Sequence, residues 1–231
     1  MRRRRVRRAE AWYRQLCKRP CFHDEYLQAF NHPGTHLVDT DGRGVERLTG
    51  TGVVAGGREY PVDRVIYASG FEVGTPFTRR AGYEVTGRAG ATLSEAWADG
   101  MRTLHGIHVH GFPNAFIVQP AQAANLLSNI PHNIVDEART IAATIGHARA
   151  NGHRRAEPTK DAVDAWIELL LTGTGRTLGG PDCTPGYYNN EGHDAGLAAR
   201  LRVGHPHGPM AYFAHIAAWR EAGTFEGLAF T

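Results

Sequence analysis

Between Leu127 and Ile145 apolar residues recur at every third or fourth position: Leu127, Ile130, Ile134, Ala138, Ile141 and Ile145. That spacing stacks side chains on one face of an α-helix. The stretch therefore predicts the longest helix of the chain, near residues 124–150, with Ile134, Ile141 and Ile145 buried. Pro131 marks a kink or the true first turn, and Gly152 ends the helix. Two apolar, β-rich runs accompany it. Val62 to Ala68 (VDRVIYA) ends in the small turn Ser69-Gly70 and reads as a buried strand. Gly106 to Val118 contains a second strand, interrupted by Gly111 to Asn114 (GFPN). Together they predict a partial sheet with helices following it.

The rest of the chain fits an α/β reading. His23 to Phe30 is helical in spacing and is broken at Asn31-His-Pro33-Gly34. His36 to Asp39 (HLVD) reads as a short strand. Residues 45–60 alternate short β-rich runs with glycine turns, which predicts an antiparallel meander. Thr159 to Leu171 opens on Pro158-Thr159 with acids in its first turns, a helix start. Gly173 to Gly192 is a glycine-rich connection. Met210 to Ala222 is a final amphipathic helix with Phe213, Ile216, Ala217 and Trp219 on its apolar side. Two glycine clusters imitate a dinucleotide fingerprint and fail its structural requirement. Gly50-Thr-Gly52-Val-Val-Ala55 is followed by Gly56-Gly57, which cannot start the helix that would hold a pyrophosphate. Gly173 to Gly179 follows a helix where the motif needs a strand.

Composition narrows the function classes. The 231 residues carry 26 Lys and Arg against 23 Asp and Glu. Nine of those bases and one acid, Glu10, lie in residues 1–19, which leaves 17 bases against 22 acids in a mildly acidic body. The arginine-rich start could bind nucleic acid or an acidic surface; the plainer reading is a disordered tail. No apolar core follows it, so it does not read as a secretion signal, and no run is long enough to span a membrane. Three cysteines, Cys17, Cys21 and Cys183, are too few for a disulfide framework and read as reduced thiols of a cytoplasmic protein. His105, His108 and His110 lack nearby acids and read as ordinary polar histidines, so no metal site is expected.

Four segments in order resemble one family. Lys18 to Asp39 (KRPCFHDEYLQAFNHPGTHLVD) resembles the segment that closes the NADPH domain of Baeyer–Villiger monooxygenases. Pro61 to Glu72 (PVDRVIYASGFE) resembles the strand and turn that return the chain to the FAD domain, with Ser69 where a threonine is usual. His110 to Ile130 (HGFPNAFIVQPAQAANLLSNI) resembles the strand and helix start beneath the flavin ring. Pro185 to Gly192 (PGYYNNEG), through Trp219 to Leu228 (WREAGTFEGL), resembles the C-terminal end.

The resemblance implies a C-terminal portion of such an enzyme. It would be of α/β class: an incomplete FAD/NAD(P)-binding, Rossmann-like domain with a β-meander and C-terminal helices. Its parts would be a basic disordered leader (1–16), the end of an NADPH-domain-like segment with the meander (17–60), and an FAD-domain-like region with a helical extension (61–231). The family reduces FAD with NADPH and uses oxygen to convert ketones to esters. Arg19 then matches the arginine that steadies an anionic oxygen species, unless it merely continues the basic leader. Lys18 matches a lysine on the NADPH 2′-phosphate, or is a solvated surface residue. Ser69, Gly70, Pro120, Gln122 and Asn125 fall where the family approaches its cofactor, Leu126 where it lines the substrate pocket, and Tyr187, with Tyr188, on a loop over both. Ordinary packing accounts equally for Ala123, Ala124 and Leu126. The resemblance further implies a small ketone substrate, a missing N-terminal half as partner, and no activity of this chain alone. The alternative is a non-catalytic remnant, or a nucleic-acid-associating protein working through its arginine-rich leader.

Overall fold

A computed structural model describes residues 13–19, 21–70, 75–119, 121–124, 128–173, 183–193 and 196–231. The chain divides into two compact units, one of Met1–Gln15 with Arg19–Phe71, the other of Leu16–Lys18 with Glu72–Thr231.

The first unit holds a short helix, α1 (Tyr26–Ala29), and the expected meander: β1 (Arg47–Leu48), β2 (Gly52–Ala55) and β3 (Arg58–Pro61), antiparallel in that order. Gly56 and Gly57 join β2 to β3 with φ of 59° and 72°, the left-handed pair that a tight hairpin demands. At Gly52 a Cβ would lie 2.3 Å from the Tyr60 carbonyl oxygen, so the close strand pairing admits only glycine. The Gly50-to-Ala55 cluster is thus a hairpin strand. Glu59 completes the sheet by accepting from the Thr49 and Thr51 hydroxyls at 2.6 and 2.8 Å, bonds that hold its carboxyl below the usual range.

Two strand expectations in this unit fail. Neither His36 to Asp39 nor Val62 to Ala68 forms a strand. Val62 to Ala68 is exposed along its length, with Ile66 at 89% and Tyr67 at 75%. An apolar run makes a strand only where a neighbour takes its N–H and C=O groups, and here only the Val62 amide finds one among the described residues, donating to the Thr51 carbonyl at 3.2 Å.

The second unit begins with α2 (Phe77–Ala81) and α3 (Leu93–Ala96). Thr92 and Glu95 form a reciprocal capping box at the start of α3. The segment from Leu104 to Phe116 makes only single bridges, Leu104 with His108 and His108 with Phe116, in place of the expected strand before Pro120. Then follow the long helix α4 (Ile130–Ala150), β4 (Ala156–Pro158), α5 (Lys160–Leu171), α6 (Gly196–Arg200), α7 (Pro209–Ala222) and β5 (Leu228–Phe230), which pairs antiparallel with β4. Thr159 caps α5 by accepting from the Ala162 amide. The main core joins Val163, Trp166, Ile167 and Leu170 of α5 to Tyr212 and Ile216 of α7, with Leu104, Ala123, Ala124 and Leu201 closing it. Burying each of these large side chains contributes about 1.5–3 kcal/mol. Buried Glu157 on β4 ties the unit together, accepting from Arg88 at 2.6 Å and from the Gly111 amide at 2.7 Å.

Helix α4 forms where its periodicity places it, but is rolled by roughly a quarter turn from the expected orientation. Its buried residues are Asn133, Asp136, Glu137, Thr140, Thr144 and Ala148. Ile134 and Ile145 are 42% and 43% exposed, and Ile141 is half-buried. The polar face is turned inward by Arg220 of α7, which pairs with Asp136 at 2.9 Å and donates to the Thr140 hydroxyl at 2.8 Å. The reduced-thiol reading also fails: Cys17 and Cys183 are disulfide-bonded across 166 residues, and Cys21 alone is free. No helix among the described residues is long and apolar enough to cross a membrane.

Candidate functional site

Gln119 and residues 121–124, which lead towards α4, are heavily braced. Gln122 is fully buried with a left-handed φ of 59°, an uncommon conformation for a residue bearing a Cβ. Its side-chain oxygen accepts from the Thr103 amide at 3.0 Å and the Thr103 hydroxyl at 2.7 Å. Its side-chain nitrogen donates to the carbonyls of Met101 at 2.6 Å and Leu201 at 3.2 Å. Its backbone N–H donates to Val203 at 2.6 Å, and its carbonyl accepts from the Trp166 indole at 3.1 Å. Every polar group of Gln122 is thus used inside the protein, which fixes the loop. Gly106 lets the loop sit close, since a Cβ there would lie 2.9 Å from the Ala123 Cβ. Ala123 and Ala124 are buried in the core. Pro120, Asn125 and Leu126 lie outside the described residues.

Glu137 of α4 lies in the same region. It is 1% exposed, and neither carboxyl oxygen has a hydrogen-bond partner of good geometry. Burial pushes its pKa up to about 8; the Gln119 amide lowers it in part, and Asp136 raises it further. The folded protein therefore binds a proton here that the unfolded chain has lost above its ordinary carboxylate range. The cost to stability begins as pH rises past 4.5 and is complete above about 8. Glu137→Gln should stabilise the second unit by on the order of 1–3 kcal/mol at pH 9, and by less at pH 6. Urea unfolding followed by tryptophan fluorescence at the two pH values checks this, and an equal gain at both would contradict it.

Lys18 reaches the loop that follows Cys183. Its ammonium donates to the Pro185 carbonyl at 3.3 Å, beside the Cys17–Cys183 bond. Asn189 shapes that loop, accepting from the amides of Gly186 at 2.9 Å and Gly192 at 3.1 Å and donating to the Thr184 carbonyl at 3.2 Å. Tyr187 is half-buried, its ring 4.1 Å from that of buried Tyr188. Lys18 and Tyr187 are therefore brought to one loop. Arg19, Ser69 and Gly70 belong to the first unit and are exposed there.

Sequence reasoning missed two features. One is Glu137, an acid that no motif marks in the sequence. The other is the set of imidazoles against Trp166 and Trp219. His105 and His108 are buried, with His105 Nε2 3.3 Å from His215 Nε2. Burial lowers both pKa values, that of His108 to about 4. Among the described residues no group of three or more His, Cys, Asp or Glu is gathered as a metal would need. A cleft of about 400 Å³ is lined by aromatic and aliphatic side chains including Phe77, Trp97, Phe112 and Phe116, and Gln119 also lines it.

Three comparisons place this arrangement. No profile of a known protein family matches the chain. The pentalenolactone D synthase of Streptomyces arenae is 47% identical over 220 residues, which are 94% of this chain and 37% of that protein. The FAD-binding monooxygenase hmp7 of Hypomyces subiculosus is 46% identical over 223 residues, 94% of this chain and 36% of that protein. Other relatives carry the name Baeyer–Villiger monooxygenase itself. Among solved structures, the polycyclic ketone monooxygenase of Thermothelomyces thermophila superposes on all of this chain and 39% of its own, with a TM-score of 0.83 and 31% identity.

The fold is thus that of a portion of a flavin monooxygenase. The chain belongs with the Baeyer–Villiger monooxygenases, to which it is homologous along 94% of its length. It spans a little over a third of the length of these relatives.

Proposed function

We propose that the chain supplies the C-terminal portion of an FAD- and NADPH-dependent monooxygenase that inserts oxygen into ketones. The observation that carries this reading is the superposition of the whole chain on a polycyclic ketone monooxygenase. The described residues do not make an FAD site by themselves. A pyrophosphate needs a glycine loop at a helix N-terminus, and the glycine cluster nearest that pattern, Gly50 to Ala55, is a hairpin strand. FAD, when bound, supplies the redox chemistry. This chain's part is to position and polarise.

In that role Gln122 locks the loop whose small residues, Ala123 and Ala124, allow a close backbone approach, and Ser69 and Gly70 supply a second close approach. Arg19 would supply a permanent positive charge to stabilise an anionic oxygen species. Lys18 attracts the cofactor's phosphate, Tyr187 covers the pocket, and Pro120, Asn125 and Leu126 complete the loop and the substrate wall. A monooxygenase that consumes NADPH fits the cytoplasm. On this reading the chain alone is inactive, and its partner is the remaining part of such an enzyme.

The test is a chimera in which this chain replaces the matched 220 residues of the Streptomyces arenae synthase. It is expected to purify yellow and to oxidise NADPH faster when a cyclic ketone is added. A yellow chimera whose NADPH consumption ignores every ketone offered would refute the reading.

A further inference from the structure

Two buried polar residues on the inner face of α4 receive the two ends of the loop that Gln122 braces. Asn133 and Glu137 stand one turn apart on one face, at 2% and 1% exposure. At the far end of the loop, Ser128 donates its hydroxyl to the Asn133 side-chain oxygen at 2.7 Å. At the near end, the Gln119 amide faces the Glu137 carboxyl. The Gln119 side chain folds back on Ala121, accepting from its amide at 3.2 Å and donating to its carbonyl at 2.7 Å. At Glu137 the fit is incomplete, because neither carboxyl oxygen has a hydrogen bond of good geometry. A buried carboxylate in that state is strongly destabilising, and a neutral carboxylic acid far less so. At 1% exposure in this chain alone, the side chain is already closed off from any further segment, so its surroundings are set here.

Those surroundings hold Glu137 to its proton. On α4 its neighbour is another acid, Asp136, which raises its pKa further. On α7 the cation, Arg220, is engaged by Asp136 at 2.9 Å and by the Thr140 hydroxyl at 2.8 Å. Tyr212 of α7 donates to the His105 carbonyl at 2.9 Å, and burial keeps its phenol protonated. β4 also packs against α4, but its acid, Glu157, is engaged by Arg88 and the Gly111 amide. An ionised Glu137 therefore has to gain water, and water enters only by parting α4 from the loop. We propose that Glu137 is a positioning residue for the loop at the flavin: while it keeps its proton it seats α4 against the Gln119 end of the loop, and when it loses that proton the two part. The link to flavin rests on the proposed function; the contact with the loop does not. The seated state holds below about pH 8 and is lost above it.

The experiment has two arms. The first uses this chain alone. The Trp166 indole donates to the Gln122 carbonyl at 3.1 Å, so its fluorescence reports on the loop. Between pH 7 and pH 9 the fluorescence should change with a midpoint near 8, while the helical circular dichroism stays constant. His205 and His215, which lie against Trp166, have pKa values lowered from 6.5 by burial and do not titrate in that window. Glu137→Gln keeps the shape without the ionisation and should abolish the change. Glu137→Met, of similar volume and uncharged, should do the same. The second arm uses the chimera. Its flavin absorbance should shift with the same midpoint, and the shift should vanish in the Gln variant. From pH 7 to pH 9 its kcat with ketone should fall about tenfold more than that of the Gln variant, as one ionisation near 8 requires, with little change in KM.

A fluorescence change that persists in the Gln variant, or no change in the chain itself, would overturn the proposal. So would a loss of helical circular dichroism over the same range, which would mark unfolding rather than a parting of loop and helix. Failure here is separable from failure of the proposed function. A chimera that oxygenates ketones with the same pH profile in both forms removes the role of Glu137 alone. A Glu137-dependent shift of fluorescence and flavin absorbance, in a chimera that ignores every ketone, upholds that role and removes the reaction alone.

Discussion

Replacing Arg19 with alanine in the active chimera is expected to lower ketone oxygenation by about 100- to 1,000-fold. That is the usual loss when one preorganised charge is taken from a developing anion. Arginine suits the task because its guanidinium stays protonated across the working range and its donors are held in a rigid fork. Arg19 is exposed within its own unit, so its removal opens no cavity and should leave folding intact. The effect should fall on kcat with ketone more than on flavin content. Arg19→Lys keeps a charge without the fork and should recover only part of the rate. Stopped-flow measurement separates the outcomes: the alanine variant should retain flavin yet fail in the step that consumes ketone. Near-normal turnover would remove Arg19 from the reacting atoms.

Reduction of the Cys17–Cys183 bond is expected to cost the second unit about 3–5 kcal/mol. A cross-link restricts the unfolded chain most when it closes a long loop, and on the chain-entropy account a loop of this size is worth about 5 kcal/mol. The bond closes a loop with a sequence separation of 166 residues, and both cysteines belong to the second unit. Thermal unfolding followed by Trp166 and Trp219 fluorescence should shift downwards on adding a dithiol, and Cys17→Ser should give the same shift without reductant. The Lys18-to-Pro185 contact beside the bond should loosen with it. A thiol count gives the direct check. The unreduced native protein should present one reactive thiol, that of Cys21, and three after reduction. Three thiols before reduction would contradict the bond and restore the reading of reduced cysteines, which is the usual state in a reducing cytoplasm.

What could be read from the sequence was what depends on neighbours along the chain. The meander followed from glycine turns at fixed offsets, and α5 from Thr159 with its first-turn acid. Helix α7 followed from the amphipathic run Met210 to Ala222, and the structure ends it at Gly223 in the left-handed cap. What could not be read depends on partners elsewhere. The spacing in α4 shows that the helix has two faces, but not which face its own unit claims. That choice was made by Arg220, 84 residues after Asp136. The apolar run Val62 to Ala68 shows a wish for burial without naming the cover. Cys17 and Cys183 cannot be paired from spacing alone.

The loop was legible as a place rather than as a mechanism. Its small residues marked a close approach, but the sequence could not show that Gln122 spends all its hydrogen bonds internally. Nor could it show that Glu137 lies buried without a good partner.

The most direct test of the account is product analysis of the chimera under oxygen-18 gas, with NADPH and a cyclic ketone. The account predicts a lactone carrying one labelled oxygen atom per molecule, formed in proportion to the NADPH consumed. Unchanged ketone in a flavin-loaded chimera that consumes NADPH would contradict it.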